Sequence, residues 1–244
     1  MNSKNPDFIN KIILDDCINI LSKIEKNSID LILTDPPYLI SRDSHFTKHS
    51  DNTKFNKISI DFGEWDKEDV NFERLFKEYK RVLKPGGTLI IFFDIWKSNL
   101  LKELAEENGF KQPRVCQWVK SNPVPINSKI NYLSNAVEYF FTFVKDKKPT
   151  FNSIYDKGIY NYPICHGKER TEHPTQKPLE LIKDLIIKHS NEGDVILDTF
   201  GGSGTTAIAG LETNRNFILI ERDENYHKIS EERVKLFINK LVYK

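Results

Sequence analysis

The feature that most limits how this chain can fold is an alternation of short apolar segments with longer amphipathic ones. The short segments, Lys11–Leu14, Ile29–Thr34, Thr88–Phe93, Arg114–Val119, Ala136–Val144, Val195–Leu197 and Asn216–Ile220, read as strands. The longer ones, at about Cys17–Glu25, Asp69–Leu83, Lys97–Asn108, Leu179–His189, Gly204–Glu212 and Glu224–Asn239, place apolar residues at helical spacing. Such an order predicts an α/β fold: a mostly parallel, seven-stranded sheet with helices on both faces. Pro85-Gly86-Gly87 reads as a helix-to-strand turn within it.

With 244 residues, 39% of them hydrophobic, the chain can bury one large core, and residues 1–244 read as a single domain. Two polar stretches break the alternation, loop 39–66 and segment 145–172. Both hold aromatic residues that disordered tracts lack, so both read as binding loops free of sheet duties. The apolar runs are short and the mean hydropathy is −0.50, which excludes a span of about 20 apolar residues. Met1–Asp7 lacks the apolar core of a secretory peptide, making the cytoplasm the expected compartment and a membrane partner unexpected. Thirty-six Lys plus Arg against 35 Asp plus Glu exclude a histone-like basic blanket, so nucleic-acid binding needs locally concentrated cations. The lysine clusters around Lys48–Lys57 and Lys145–Lys148, with Lys168 and Arg170, read individually as solvated loops. Cys17, Cys116 and Cys165 show no Cys-x-x-Cys spacing, which points to reduced thiols and no metal.

Two segments carry chemistry. Ile29–Thr34 delivers Asp35-Pro36-Pro37-Tyr38 at its carboxyl end, the edge where ligands of open α/β sheets bind. Neither proline has an N–H, so the turn offers a carboxylate and carbonyls without competing donors, a clamp for an NH₂ group. Tyr38 adds a flat face, and stacking a base on an aromatic contributes about 1–3 kcal/mol. Val195–Leu197 opens through Asp198-Thr199-Phe200-Gly201-Gly202-Ser203-Gly204 into the helix beginning at Thr205, and Glu221 ends the next strand, placed for a ribose diol. Gly202 to Ala207 also fits the G-x-G-x-x-G/A pattern, so a nicotinamide oxidoreductase stays open at this point. Asp16 closes the first strand, bringing all these groups to one crevice. The glycine turn and ribose acid stand last rather than first, which describes a circular permutation with neighbouring termini.

These residues resemble those of the amino-group DNA methyltransferases that use S-adenosylmethionine, in the permuted β-group arrangement. Asp35-Pro36-Pro37-Tyr38 matches that family's catalytic motif in its adenine-N6 form. Phe200-x-Gly202-x-Gly204 matches its cofactor loop, and His173-Pro174-Thr175-Gln176-Lys177-Pro178 the segment leading into a helix beside the cofactor's methionine part. Leu83–Gly87 and Trp118–Pro123 also match, so the likeness runs from about Asp16 to Glu221. Thr199 departs from it, standing where relatives usually have proline.

The resemblance implies a Rossmann-like methyltransferase fold and site-specific transfer of a methyl group to N6 of an adenine flipped out of double-stranded DNA, leaving S-adenosylhomocysteine. It implies a catalytic set of Asp35, Pro36, Pro37 and Tyr38. The implied cofactor-binding set is Asp16, Cys17, Asp35, His173, Thr175, Gln176, Lys177, Asp198, Phe200, Gly202, Ser203, Gly204, Thr205 and Glu221. Recognition of the DNA sequence is expected from loop 39–66 and segment 145–172. A place in a restriction–modification system, with a cognate restriction endonuclease, and a homodimer are expected partners. Cytosine-N4 methylation is the close alternative, disfavoured by Asp rather than Ser at position 35. A noncatalytic DNA-binding subunit of the same fold is the remoter one.

Overall fold

The computed structural model describes residues 5–37, 70–123 and 134–242. Tyr38 and loop 39–66 lie outside them. The chain divides into two compact units, Met1–Pro36 with Asn71–Lys244, and Pro37–Val70. The first of these holds the sheet and the helices that cover it.

Eight strands form one sheet: β1 (Lys11–Leu14), β2 (Ile29–Thr34), β3 (Leu83–Phe93), β4 (Phe110–Lys120), β5 (Val137–Lys145), β6 (Ile159–Tyr162), β7 (Val195–Asp198) and β8 (Asn216–Glu221). Their order is β1-β8-β7-β2-β3-β5-β4-β6, and β5 runs antiparallel to both neighbours while the other pairs are parallel. The central strands are buried along nearly their whole length, Leu31–Leu33 and Leu89–Phe93 among them. Covering on both faces explains why they read as continuous apolar runs rather than alternating ones. Helices α1 (Cys17–Leu21), α2 (Phe72–Val82) and α3 (Ser98–Glu107) pack in sequence, as do α4 (Leu179–His189), α5 (Thr205–Glu212) and α6 (Glu224–Val242). On α2, Phe72, Leu75, Phe76, Tyr79 and Val82 recur every three or four residues and form its buried stripe.

The sheet has eight strands where seven were expected. The extra one, β6, lies inside segment 145–172, which is therefore not free of sheet duties. It pairs with β4 from Gln117↔Ile159 to Lys120↔Tyr162, and Trp118 Nε1 donates to the Tyr162 carbonyl at 2.9 Å. Four residues with Tyr160 alone deeply buried are too few to announce a strand by periodicity. A second difference is that β3 begins at Leu83, taking in Pro85-Gly86-Gly87. Gly86 is left-handed at φ +88°, and a Cβ on Gly87 would stand 2.7 Å from the Asp30 carbonyl of β2. Gly87 permits close approach of β2 and β3, while left-handed Gly86 lies in the bulge by which β3 runs from its pairing Ile29↔Leu83 to Leu31↔Thr88.

β1 pairs with β8, and α6 packs against β1. The last helix thus leads in space back to the first strand, as the permuted order requires. No helix among the described residues is long and apolar enough to cross a membrane. The three cysteines are unbridged and buried.

Lys145 also departs from expectation, since it is no solvated cation: at 5% exposure its Nζ donates to Asn27 Oδ1 (2.8 Å), the Lys80 carbonyl (2.5 Å) and the Leu83 carbonyl (2.7 Å). Burial, the largest influence, pulls its pKa down. It ties the end of β5 to the carboxyl end of α2, where orphan carbonyls need donors. Lys145→Met leaves these acceptors without their donor, so urea denaturation is expected to show a loss of about 1–3 kcal/mol.

Candidate active site

The site begins with two adjacent parallel strands. β2 and β7 pair at Leu31↔Ile196 and Ile32↔Leu197. Just beyond, Thr34 Oγ1 donates to Asp198 Oδ1 at 3.1 Å and meets Thr199 Oγ1 at 3.0 Å, across 164 and 165 positions of sequence. Asp35 follows directly on one side and the glycine turn on the other, and a cleft opens between them.

Ten of the expected residues line this cleft: Asp35, His173, Thr175, Gln176, Lys177, Asp198, Phe200, Gly202, Ser203 and Thr205. Thr34, Phe92 and Thr206 line it as well and were not foreseen. Asp16, Cys17, Gly204 and Glu221 are not part of that lining. Asp16 caps α1, its carboxylate accepting from the Ile18 amide at 2.8 Å, and Cys17 is buried behind it, its thiol pushed up to about 12, chiefly by burial. Glu221 stands behind the turn and accepts from the Gly202 amide at 2.7 Å and the Asp223 amide at 2.8 Å; burial raises its pKa. Gly202 and Gly204 are left-handed at φ +49° and +79°, and a Cβ on Gly204 would meet Ser230 Cβ at 2.8 Å, so the turn needs glycine there.

The remaining polar side chains are held in place. Gln176 spends its amide on the chain itself, accepting from the Thr171 N–H (2.9 Å) and hydroxyl (2.8 Å) and donating to the Glu169 carbonyl (2.9 Å). His173 lies 4.4 Å from the Tyr226 ring, and burial first, then Lys177 and Arg233, lowers its pKa to about 4, so it is neutral near pH 7.

Asp198, 5% exposed, accepts from Thr34, from the Phe200 amide at 3.1 Å and from Thr206 Oγ1 at 2.7 Å. Counting protons fixes the direction of the rest. Thr34 gives its hydrogen to Asp198, so Thr199 donates to Thr34, and Tyr79 of α2 donates to Thr199 at 2.6 Å. The hydroxyl at position 199, where relatives usually have proline, thereby joins α2 to the floor of the cleft.

Lys177 pairs with Asp35 Oδ2 and stands 3.2 Å from Glu138 Oε2, with its Nζ 4.9 Å from the Phe92 ring centre. Lys120 completes a row, 2.9 Å from Glu138 Oε1. Burial opposes the charge on Lys177, but Asp35 and Glu138 outweigh it and hold its pKa above the usual value. Burial likewise opposes the Glu138 charge, and Lys177 and Lys120 keep its pKa below the usual value. Sequence reasoning missed Glu138. Its signal was a lone acid in the apolar run Ala136-Val137-Glu138-Tyr139-Phe140.

Burial, the largest influence on Asp198, raises its pKa from 3.8 to about 6. A raised folded-state pKa favours the protonated form on folding, so this stabilisation is full below about pH 4 and is lost as pH rises through 6. Two pKa units correspond to roughly 3 kcal/mol. Urea titrations between pH 4 and 7 should therefore show a component of falling stability in the unmutated chain that Asp198→Asn lacks.

Comparison with known proteins identifies the family. The sequence family described as DNA methylase matches residues 29–232. Type II methyltransferase M2.MboI of Moraxella bovis is 34% identical over 236 residues, 89% of this chain and 84% of that protein. Type II methyltransferase M2.DpnII of Streptococcus pneumoniae is 33% identical over 248 residues, 93% and 90%. Among solved structures, the M1.HpyAVI–SAM complex is similar with a TM-score of 0.70 and 29% identity, covering 92% of this chain and 98% of that one. The cytosine-N4-specific PvuII DNA methyltransferase shares the fold at TM-score 0.70 and 19% identity, covering 96% and 92%.

Proposed function

The chain belongs to the N6/N4 DNA methylase family, and on that premise we propose that it methylates N6 of an adenine flipped out of double-stranded DNA within a specific sequence. It is a DNA methyltransferase, and its methyl donor is S-adenosylmethionine. The observation that carries the reading is that Asp35 and the Gly201–Ser203 turn, far apart in sequence, line one cleft.

The residues present suit the donor. The cleft joins the end of β2 to the glycine turn. Its walls combine the apolar Leu33, Phe92, Ile182 and Phe200 with the Gly201–Ser203 turn, whose glycines let it pack closely on Leu219 and His173. Ser203, Thr205 and Thr175 add hydroxyls, and Glu221 supplies a carboxylate behind the turn for a ribose diol. When bound, S-adenosylmethionine supplies an electrophilic methyl group.

The chain's own part is to prepare the nucleophile. An exocyclic amine is a poor one, because its lone pair is delocalised into the ring. Asp35 and the Pro36 carbonyl accept its two N–H bonds, localise that pair and aim it toward the cleft. Orientation of this kind can lower a barrier by roughly 7–11 kcal/mol. The amine of a paired adenine is inaccessible, so the base is extruded, with Tyr38 as its stacking platform. Target sequence is read by loop 39–66 and by segment 145–172, where the exposure of Ile154 and Tyr155, at 84% and 96%, supports a contact role. The designation of relatives as Type II methyltransferases supports a restriction–modification context. A cognate endonuclease and a second copy of this chain complete the proposed partners.

Incubation with DNA and tritiated methyl donor is expected to place label in N6-methyladenine; label in cytosine instead overturns the choice of base. Asp35→Ala is expected to lose transfer about 10²-fold or more while calorimetry shows the methyl donor still bound. Tyr38→Ala should likewise lose roughly 10-fold or more of transfer and keep donor affinity; an equal loss of both contradicts the stacking role.

A further inference from the structure

The charged row beside the cleft reaches beyond the residues that face it. We infer that Glu138 and Lys120 are positioning residues for methyl transfer: they fix Lys177, and Lys177 fixes the Asp35 carboxylate. The inference rests on Asp35 being the acceptor for the target amine.

The four groups alternate in sign, Asp35⁻, Lys177⁺, Glu138⁻, Lys120⁺, and follow one edge of the sheet from the end of β2, past β3, to β5 and β4. Their side chains are 21%, 8%, 27% and 13% exposed. Stability does not account for such a row. Moving charges out of water costs several kcal/mol per ion, and replacing a buried pair by apolar residues is often neutral or favourable. A geometric duty does account for it. Lys177 belongs to no strand or helix; it precedes α4, so no backbone ladder holds its ammonium against Asp35. Its fixed surroundings are the Phe92 ring on β3 and the Glu138 carboxylate on β5.

Glu138 is fixed in turn by the sheet. It pairs with Trp118 in the β4–β5 register, and the Lys120 amide donates to the Ala136 carbonyl at 2.8 Å. The Lys120 ammonium rests 5.3 Å from the Trp118 ring centre while it grips Glu138. Trp118 is anchored to β6 through its indole N–H. Position is thus handed from the edge of the sheet to the carboxylate in the cleft through three ion pairs. Loss of Glu138 leaves Lys177 with a single anionic partner and frees it to draw Asp35 out of line. A displacement near 1 Å costs about 10²-fold in rate.

The test compares Glu138→Gln, Glu138→Asp and Lys120→Met with the unmutated chain, reading kcat and KM for methyl transfer to duplex DNA, donor affinity by calorimetry, and Tm. The expected result for Glu138→Gln is a fall in kcat of roughly 10- to 100-fold with donor affinity within about 3-fold, and partial recovery in Glu138→Asp. Lys120→Met gives a smaller fall of the same kind and carries the test if Glu138→Gln does not fold. Adding Glu138→Gln to Lys177→Met causes no further loss, because both act through one carboxylate. An unchanged kcat in the variant that folds, or independent losses in the double variant, overturns the inference alone. Absence of methyl transfer by the unmutated chain overturns the functional reading, and this inference with it.

Discussion

The site depends on one pairing, that of β2 with β7. These strands are distant in the chain, yet a parallel ladder brings them side by side, and the hydroxyl of Thr34 closes the junction onto Asp198. Everything chemical hangs from that seam. Asp35 is the next residue after one strand and the glycine turn the next after the other, so neither needs a long loop to find its partner. Carboxyl ends of adjacent parallel strands make a crevice by geometry alone, and here its two rims are tied by side chains as well.

The order of helices and strands could be read from the sequence because buried parallel strands are continuous apolar runs, as Ile29–Leu33 and Phe217–Ile220 are. Convergence of Asp35 with the glycine turn was legible for the same reason, since each ends such a run. β6 was hidden by its shortness and by a polar residue in its middle. The early start of β3 was hidden because Gly86 and Gly87 lie in a bulge inside the strand, a use of glycine indistinguishable locally from a turn.

The charges were the hardest to place. Lys145 stands next to Asp146, Lys147 and Lys148 and shares their appearance, while only it is enclosed. Glu138 meets Lys177 and Lys120 through the antiparallel register of β5 and the path of the chain before α4, neither of which is written in its neighbours. Gln176 and Glu221 carry a second duty that the sequence did not announce: besides reading as cofactor ligands, both bond backbone groups that shape the loops around the cleft. Thr199, in the sequence only an exception to the family pattern, turns out to join Tyr79 and Thr34.

That last link bears on how the molecule tolerates change. The chain leaves the sheet after Pro36 and returns at Asn71, whose own side chain caps α2 by accepting the Arg74 amide at 3.0 Å. From there α2 is moored inward through the Tyr79 phenol. Both anchor points are thus secured by bonds among the described residues. For a connection anchored in this way, lengthening costs about 0.6 kcal/mol of loop-closure entropy per doubling. Length within 39–66 can therefore change at small thermodynamic expense without touching the Asp35–Tyr38 motif, a modular arrangement in which one catalytic frame outlives many different inserts.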